Sequence, residues 1–81
     1  MSKDYIDALR EAIRVRKDRV DSLQKMTDEI RASYKAMSPN QLNEAIRDVV
    51  GMQKEIEKHR EFCMKARKEI ESFFANPIKV A

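Results

Sequence analysis

The fold is decided by residues 37–42, which read Met-Ser-Pro-Asn-Gln-Leu. Ser38 suits an N-cap, because its hydroxyl can accept a hydrogen bond from a free amide in the first turn of a helix. Pro39 then falls at the first helical position, where its missing N–H costs nothing, and Gln41 falls at the third, as in a capping box. Met37 and Leu42 have the spacing of a hydrophobic staple. The stretch predicts a helix that begins at Pro39.

The rest of the chain is organised around this boundary. Proline disfavours the helical conformation in the residue before it, so a preceding helix must end near Ala36. The composition is 42% apolar and 38% charged, with one glycine and two prolines, and no segment alternates as a strand would. We therefore predict a single all-α domain over residues 1–81, with helices at about 3–36 and 39–75, a turn at 37–38 and a tail at 76–81 that begins at the helix-stopping pair Asn76-Pro77.

Each predicted helix carries an apolar stripe with heptad-like spacing. The first stripe comprises Ile6, Leu9, Ile13, Arg16, Val20, Leu23, Thr27, Ile30, Tyr34 and Met37. The second comprises Leu42, Ala45, Val49, Met52, Ile56, His59, Cys63, Ala66, Ile70 and Phe73. When the chain is folded back at Ser38, every stripe residue meets a counterpart such that the two residue numbers sum to 79. This agreement predicts an antiparallel, coiled-coil-like hairpin of two helices.

A two-helix hairpin buries one seam only, so it is marginally stable by itself. Further apolar residues flank the stripes and predict an oligomer interface: Tyr5, Met26, Ile46, Phe62 and Phe74. The simplest assembly that covers them is a homodimeric four-helix bundle, with higher oligomers or a different helical partner as alternatives. Gly51, inside the second helix, is either a tolerated defect or a point where another helix approaches closely.

Basic residues concentrate in two stretches that the fold-back places opposite each other. Residues 10–19 carry five cations and two acids, a local charge of +3, and residues 58–68 carry five cations and one acid, a local charge of +4. The whole chain is +3, from 17 basic and 14 acidic residues. We call these two stretches together the basic belt. The contact residues that we predict in it are Arg10, Arg14, Lys17, Lys58, Lys65 and Lys68, with Phe62 as an apolar anchor.

These features predict a small non-catalytic interaction protein, acting as an adaptor, regulator or inhibitor that docks on a partner protein through the basic belt. Acidic proteins are candidate partners. The main alternative is a nucleic-acid-binding bundle that contacts phosphates through the same residues. A further alternative is a structural subunit of a larger helical assembly. The simplest explanation of the charges themselves is a solvated helix surface with ion pairs between residues four apart.

Nothing in the sequence predicts an enzyme, a cofactor or a small-molecule substrate, because no nucleophile–base set or phosphate-binding loop is present. His59 and Cys63 are one helical turn apart, and two such pairs across a dimer would make a four-ligand zinc set. A core thiol beside a hydrogen-bonded histidine is the simpler interpretation, and we expect no metal. Arg16 is expected to extend its charged end to water or to fix the register of the seam.

The cysteine content and the distribution of apolar residues bear on the cellular location of the protein. Cys63 is the single cysteine, so the chain has no internal disulfide. No apolar run approaches the roughly 18 residues needed to cross a bilayer, and the first residues lack the apolar region of a secretory signal. We therefore expect a cytoplasmic protein that makes no membrane contact.

Overall fold

The computed structural model describes residues 3–75, and these form two long helices joined by a tight turn. Helix α1 spans Lys3–Ser33, a 3₁₀ turn spans Tyr34–Ala36, and helix α2 spans Pro39–Ala75. The helices pack antiparallel into a rod with extents of 66 × 14 × 14 Å. The prediction of an all-α helical hairpin is confirmed. The Asn76-Pro77 stop and the tail lie outside the described residues.

The capping box forms at the start of α2. The Ser38 backbone N–H donates to Gln41 Oε1 at 2.9 Å, and the Gln41 N–H donates to Ser38 Oγ at 3.3 Å. The Leu42 N–H donates to the Ser38 carbonyl at 2.8 Å, which closes the first α-helical turn. Two of the free amides at the helix start are thus satisfied by side chains, and α2 begins at the residue that the sequence indicates.

Helix α1 ends three residues before the predicted limit of Ala36. The Ser33 hydroxyl lies 3.1 and 3.2 Å from the carbonyl oxygens of Glu29 and Ile30 and donates one hydrogen bond that the two oxygens share, at the end of the helix. The next three residues tighten into the 3₁₀ turn, which the Met37 N–H closes on the Tyr34 carbonyl at 3.1 Å. Tyr34 is consequently rotated off the seam and is 49% exposed, whereas the heptad pattern predicts it inside.

The core lies along the predicted seam. Every buried residue in the described chain belongs to one of the two stripes: Ile6, Ile13, Leu23, Thr27, Ala45, Ile56, Cys63 and Ala66. The cluster of Ile13, Cys63 and Ala66, with Leu9 and Ile70 packed against it, contains pairs whose residue numbers sum to 79. The register follows the fold-back rule, so α1 residue n lies at the level of α2 residue 79 − n.

Two seam positions that are not purely apolar find partners within the hairpin. Thr27 is fully buried, and its hydroxyl contacts Met52 Sδ at 4.0 Å. The Cys63 thiol points at the Ile13 carbonyl oxygen, 3.9 Å away. Gly51 faces outward, and a Cβ built on it would meet nothing within 4 Å. No other part of residues 3–75 therefore fills the space in front of Gly51.

Candidate protein-interaction surfaces

The hairpin presents two different sides on which α1 and α2 meet at the surface. On the first side, Tyr5 Oη donates to Glu69 at 2.9 Å and Arg19 Nε donates to Glu55 at 2.8 Å across the helices. Met26, Asp48 and Gly51 line a shallow depression on the same side, next to Arg19 and Glu55. We call this side the Tyr5 face; its residues recur at heptad spacing and are Tyr5, Arg19, Met26, Asp48, Glu55, Phe62 and Glu69.

The second side is formed by residues on the other flank of the seam. Arg10 lies over the Phe74 ring, 5.5 Å from its centroid, and Lys17 lines a groove with Arg60 and Arg67. Toward the turn, Arg31 and Ile46 line a second groove. We call this side the Arg60 face; its residues are Arg10, Lys17, Arg31, Ile46, Arg60, Arg67 and Phe74.

The residues predicted as one basic contact surface are divided between these sides. Arg10, Arg14 and Lys17 belong to the Arg60 face or its rim, because they follow one another by three or four residues. Lys58 and Lys65 are each two residues from Arg60 or Arg67, and residues two apart on a helix project about 200° apart. These two lysines flank the Tyr5 face instead. Lys68 points outward on α2, away from both sides of the seam.

A cationic groove of about 240 Å³ lies in the middle of the Arg60 face. Three cations line it, namely Lys17 from α1 and Arg60 and Arg67 from α2. Val20 and Cys63 also line the groove, and Asp21 is its single acidic lining residue. Within residues 3–75, none of the three cations is within 4.0 Å of a carboxylate oxygen. Their charge is available to an incoming anion.

Other members of the basic belt already have partners. Arg14 donates to the Glu11 carboxylate and to Asp18, and Lys65 lies 3.2 Å from Glu61. The hydrogen bond from Arg14 lowers the pKa of Glu11 below its ordinary value. Exposed pairs of this kind are individually weak and exchange readily with other partners. They nevertheless reduce the free charge of the belt, which leaves the cationic groove as its most concentrated part.

Phe62, the predicted apolar anchor, makes contacts within its own chain. The Arg16 guanidinium carbon lies 3.7 Å from the Phe62 ring centroid, and an Arg16 Nη1 N–H points at the Ala12 carbonyl oxygen at 3.4 Å. The ring also packs against the Ile13–Cys63–Ala66 cluster, so Phe62 is partly buried. Arg16 thereby fills a seam position without a buried, unpartnered charge, because the ring face attracts the cation.

The predicted oligomer-interface residues are also divided. Tyr5, Met26 and Phe62 lie on the Tyr5 face, whereas Ile46 and Phe74 lie on the Arg60 face. Ile46 and Phe74 are more than half exposed, at 53% and 55%. A single flat interface can therefore use one group or the other, but not all five residues.

An apolar groove near the turn was not predicted from the sequence. Tyr34, Leu42, Ile46 and Val50 line it together with Ile30, Ala45 and Val49, and Arg31 is its one charged lining residue. The groove exists because the 3₁₀ turn carries Tyr34 outward and so uncovers the seam beneath it. The heptad pattern places Tyr34 inside and gives no sign of this opening.

Glu55 is the best connected acid on the Tyr5 face. It accepts hydrogen bonds from Arg19 at 2.8 Å and lies 3.0 Å from His59 Nε2. The bond from Arg19 and then that from His59 lower the pKa of Glu55 from its ordinary 4.5 to about 2. The ionised carboxylate is therefore favoured in the folded hairpin, where it links α1 to α2.

This lowered pKa predicts a pH-dependent stability. Because the folded-state pKa lies below the unfolded one, the contribution of Glu55 is present above pH 4.5 and is lost as the pH falls toward 2. We expect Glu55→Gln to be less stable than the native chain at about pH 7 and equally stable at about pH 2. Urea unfolding followed by circular dichroism measures the difference. Glu57→Gln, on the same helix, is the control with no expected change; a Glu55→Gln deficit that persists at about pH 2 would contradict the assignment.

His59 and Cys63 do not converge on a common point. The His59 imidazole is engaged with Glu55, whereas the Cys63 thiol is buried against the Ile13 carbonyl. Among residues 3–75, no three His, Cys, Asp or Glu side chains are grouped so as to hold a metal ion. In the same part of the chain, neither helix has a stretch apolar and long enough to cross a membrane.

The structure draws attention to two residues that are absent from the predicted contact set. Arg60 and Arg67 contribute to the local charge of the belt, but they are not among the contact residues predicted from the sequence. Their spacing of seven residues repeats the seam period, and this signal places them on one flank beside Lys17. Comparisons with protein families, curated proteins and solved structures found no match to the chain.

Proposed function

We propose that the protein is a small, non-catalytic helical interaction protein that docks on an acidic surface of a partner protein through its Arg60 face. The observation that supports this proposal most directly is the cationic groove, where Lys17, Arg60 and Arg67 surround one concave site without ion-pair partners in the described chain. An adaptor, a regulator or an inhibitor would all act by such docking.

The chemistry of the groove favours carboxylates as ligands. Arginine presents a planar fork of donors that binds a carboxylate in a bidentate manner, and Lys17 adds a point charge from the opposite helix. The cations steer an acidic partner into place, and specificity comes from the surrounding shape. Arg10 extends the positive surface along α1, while the apolar groove near the turn offers Ile46 and Val50 to the same partner.

We also propose that the hairpin dimerises into a four-helix bundle. It has one buried seam, and large apolar side chains remain at least 41% exposed on both sides, including Tyr5, Met26, Ile46 and Phe74. Light scattering coupled to size-exclusion chromatography tests this directly. A dimer has a mass of 2 × 9.5 = 19 kDa; a folded species of 9.5 kDa at all concentrations would remove the bundle but leave the docking proposal standing.

The alternative ligand class is the phosphate backbone of nucleic acid, which the same cations would also attract. Within the basic belt, Phe62 is covered by Arg16, and the exposed ring on the Arg60 face is Phe74, beside Arg10. One exposed ring is not a row of rings on which successive bases would stack, so a duplex is the form of nucleic acid that we use to test this alternative. Affinity for a duplex falls steeply as salt rises, because phosphate contacts release counterions.

The docking proposal is tested with two variants of equal charge change. Arg60→Glu/Arg67→Glu alters the cationic groove, and Lys54→Glu/Lys68→Glu alters the outward surface of α2. Fluorescence anisotropy with a labelled poly-glutamate peptide reports binding to an acidic chain, and a labelled DNA duplex reports the alternative. We expect the first variant to weaken peptide binding at least tenfold, about 1.4 kcal/mol or more, and the second to change it by less than about threefold.

Two outcomes contradict the docking proposal. Equal losses in both variants would mean that only the net charge matters. Tight duplex binding with a steep salt dependence and no measurable peptide binding would favour nucleic acid as the ligand. Circular dichroism on each variant verifies that the helices are retained.

A further inference from the structure

The Tyr5 face has an uneven charge distribution along its length. Near the turn it carries the exposed acids Glu29, Glu44 and Asp48 against one exposed cation, Arg47, which lines the depression beside Asp48. Toward the open end it carries the exposed Lys58 and Lys65 against one acid, Glu69, which accepts a hydrogen bond from Tyr5. Between these regions Arg19 and Glu55 neutralise each other through their ion pair. The face therefore has a net negative charge at one end, a net positive charge at the other and a balanced middle.

We infer that a second copy of the chain packs on the Tyr5 face in an antiparallel orientation, with the two turns at opposite ends of the four-helix bundle. This inference rests on the dimer proposed above and specifies its face and orientation. A two-fold axis perpendicular to the rod, near residues 54 and 55 of α2, places Glu44 at the level of the partner's Lys65. The same axis places Asp48 within about one turn of the level of the partner's Lys58. Each contact occurs twice, as two-fold symmetry requires.

The opposite orientation is disfavoured by the same charges. With both turns at one end, the acids of the two chains would gather at one end of the bundle and the lysines at the other, and like charges at one level repel each other. In the antiparallel arrangement the residue nearest the axis is Glu55, and Arg19 and His59 already hold its carboxylate. Lys65 must exchange its exposed pair with Glu61, which is a weak contact.

The Arg60 face is a poor alternative for self-association. Its middle is the cationic groove, so a dimer through this face would bring Lys17, Arg60 and Arg67 of one copy close to the same cations of the other. Asp21 is the one acidic residue that lines the groove in each copy. The Tyr5 face instead offers Tyr5, Val15 and Met26 as partly exposed apolar contacts. Gly51 lies on this face with open space before it, which allows the partner's helix to approach. One face is thus left for a second copy and the other for an acidic partner.

The exposed area agrees with a missing partner. The chain exposes 6473 Å², whereas a compact folded monomer of this mass exposes about 5,000 Å². The excess of roughly 1,400 Å² is larger than the 800 Å² or so that each partner contributes to a standard interface. A second copy laid along the rod can cover an area of this size.

Reciprocal charge reversal tests the inference. Lys58→Glu/Lys65→Glu and Glu44→Lys/Asp48→Lys each convert attraction into repulsion, so we expect each to raise the dimer dissociation constant at least tenfold. The variant that combines all four changes restores the attraction with the signs exchanged and should return to within about threefold of the native value. Arg60→Glu/Arg67→Glu, on the other face, is the control and should leave the dissociation constant within about threefold of native. Sedimentation equilibrium at several concentrations gives these constants.

The outcomes separate this inference from the function proposed above. A native dimer that Lys58→Glu/Lys65→Glu leaves intact would overturn the Tyr5 face as the interface while keeping the bundle. A native monomer would overturn the inference and the bundle, but not docking on an acidic partner, which the Arg60→Glu/Arg67→Glu variant tests separately. Cross-linking gives a second readout, because it reports which residues of the two protomers lie close together. Glu44→Cys/Lys65→Cys should be joined between protomers by a short bis-maleimide, and failure to cross-link in a native-like dimer would exclude the antiparallel orientation.

Discussion

Leu23→Ala is expected to lower the free energy of unfolding by about 3 kcal/mol. Leu23 is 2% exposed and lies near the middle of the seam, which is the only core that the described hairpin has. Truncation removes buried apolar surface and leaves a cavity that two straight helices can close only in part. Since small domains are stable by about 5–15 kcal/mol, a loss of this size removes much of the total. We expect a marked fall in the midpoint of thermal unfolding.

Met64→Ala is the control for this substitution. Met64 is also a large apolar residue, but it is 51% exposed on the outer surface of α2. Its truncation should change the free energy of unfolding by less than about 0.5 kcal/mol. Both variants are compared with the native chain by urea unfolding at one protein concentration, because self-association alters apparent stability. Similar losses at the two positions would contradict the buried seam.

Phe62→Ala is expected to lower the free energy of unfolding by about 2 kcal/mol. The ring is partly buried against Ile13, Cys63 and Ala66, and its face lies under the Arg16 guanidinium. Full burial of a phenylalanine is worth more, so the partial exposure reduces the loss. Phe62→Leu keeps most of the apolar packing and removes the ring, and should cost about 1 kcal/mol.

A double-mutant cycle isolates the contribution of the cation. Combining Phe62→Leu with Arg16→Met should reveal a coupling energy of about 1 kcal/mol, because either change alone already removes the contact. Arg10→Met with Phe74→Leu is the matched control, since that pair is 5.5 Å apart and Phe74 is 55% exposed. Its coupling should be smaller. Equal coupling energies in the two cycles would mean that the short distance between the Arg16 guanidinium and the Phe62 ring adds no stability of its own.

Much of the fold could be predicted because local and global signals coincide at the turn. The cap at Ser38 and the proline after it determine where α2 begins, and the heptad stripes on each side then determine the register. Every buried residue of the described chain lies on these stripes. Tyr34 is the exception among the predicted seam residues. Its exposure follows from the hydrogen bonding of the Ser33 hydroxyl at the end of α1 and from the 3₁₀ turn after it. Heptad spacing assumes a continuous helix and therefore predicts neither feature.

The candidate surfaces were less accessible to prediction, for a geometric reason. The sum of the charges in a stretch of sequence gives the position of those charges along the length of the hairpin. It does not give the direction in which each side chain points. Lys58 and Arg60 are two residues apart and lie at almost the same level, yet they project to opposite sides of the seam. The contact of Arg16 with Phe62 also could not be predicted. Phe62 has the spacing of an exposed residue on α2, and the guanidinium that lies over its ring comes from α1.

The constant register of the hairpin has a consequence for how the chain folds. Contacts near the turn join residues close in sequence, such as Thr27 and Met52, which are 25 residues apart, whereas Tyr5 and Glu69 are 64 residues apart. Closing a short loop costs less entropy than closing a long one, and each contact formed shortens the loop that the next must close. We therefore expect contacts between the helices to form first beside the turn at Ser38 and then progressively toward the open end. Interactions near the turn then govern the rate of folding, and those at the open end govern the rate at which the native hairpin begins to separate.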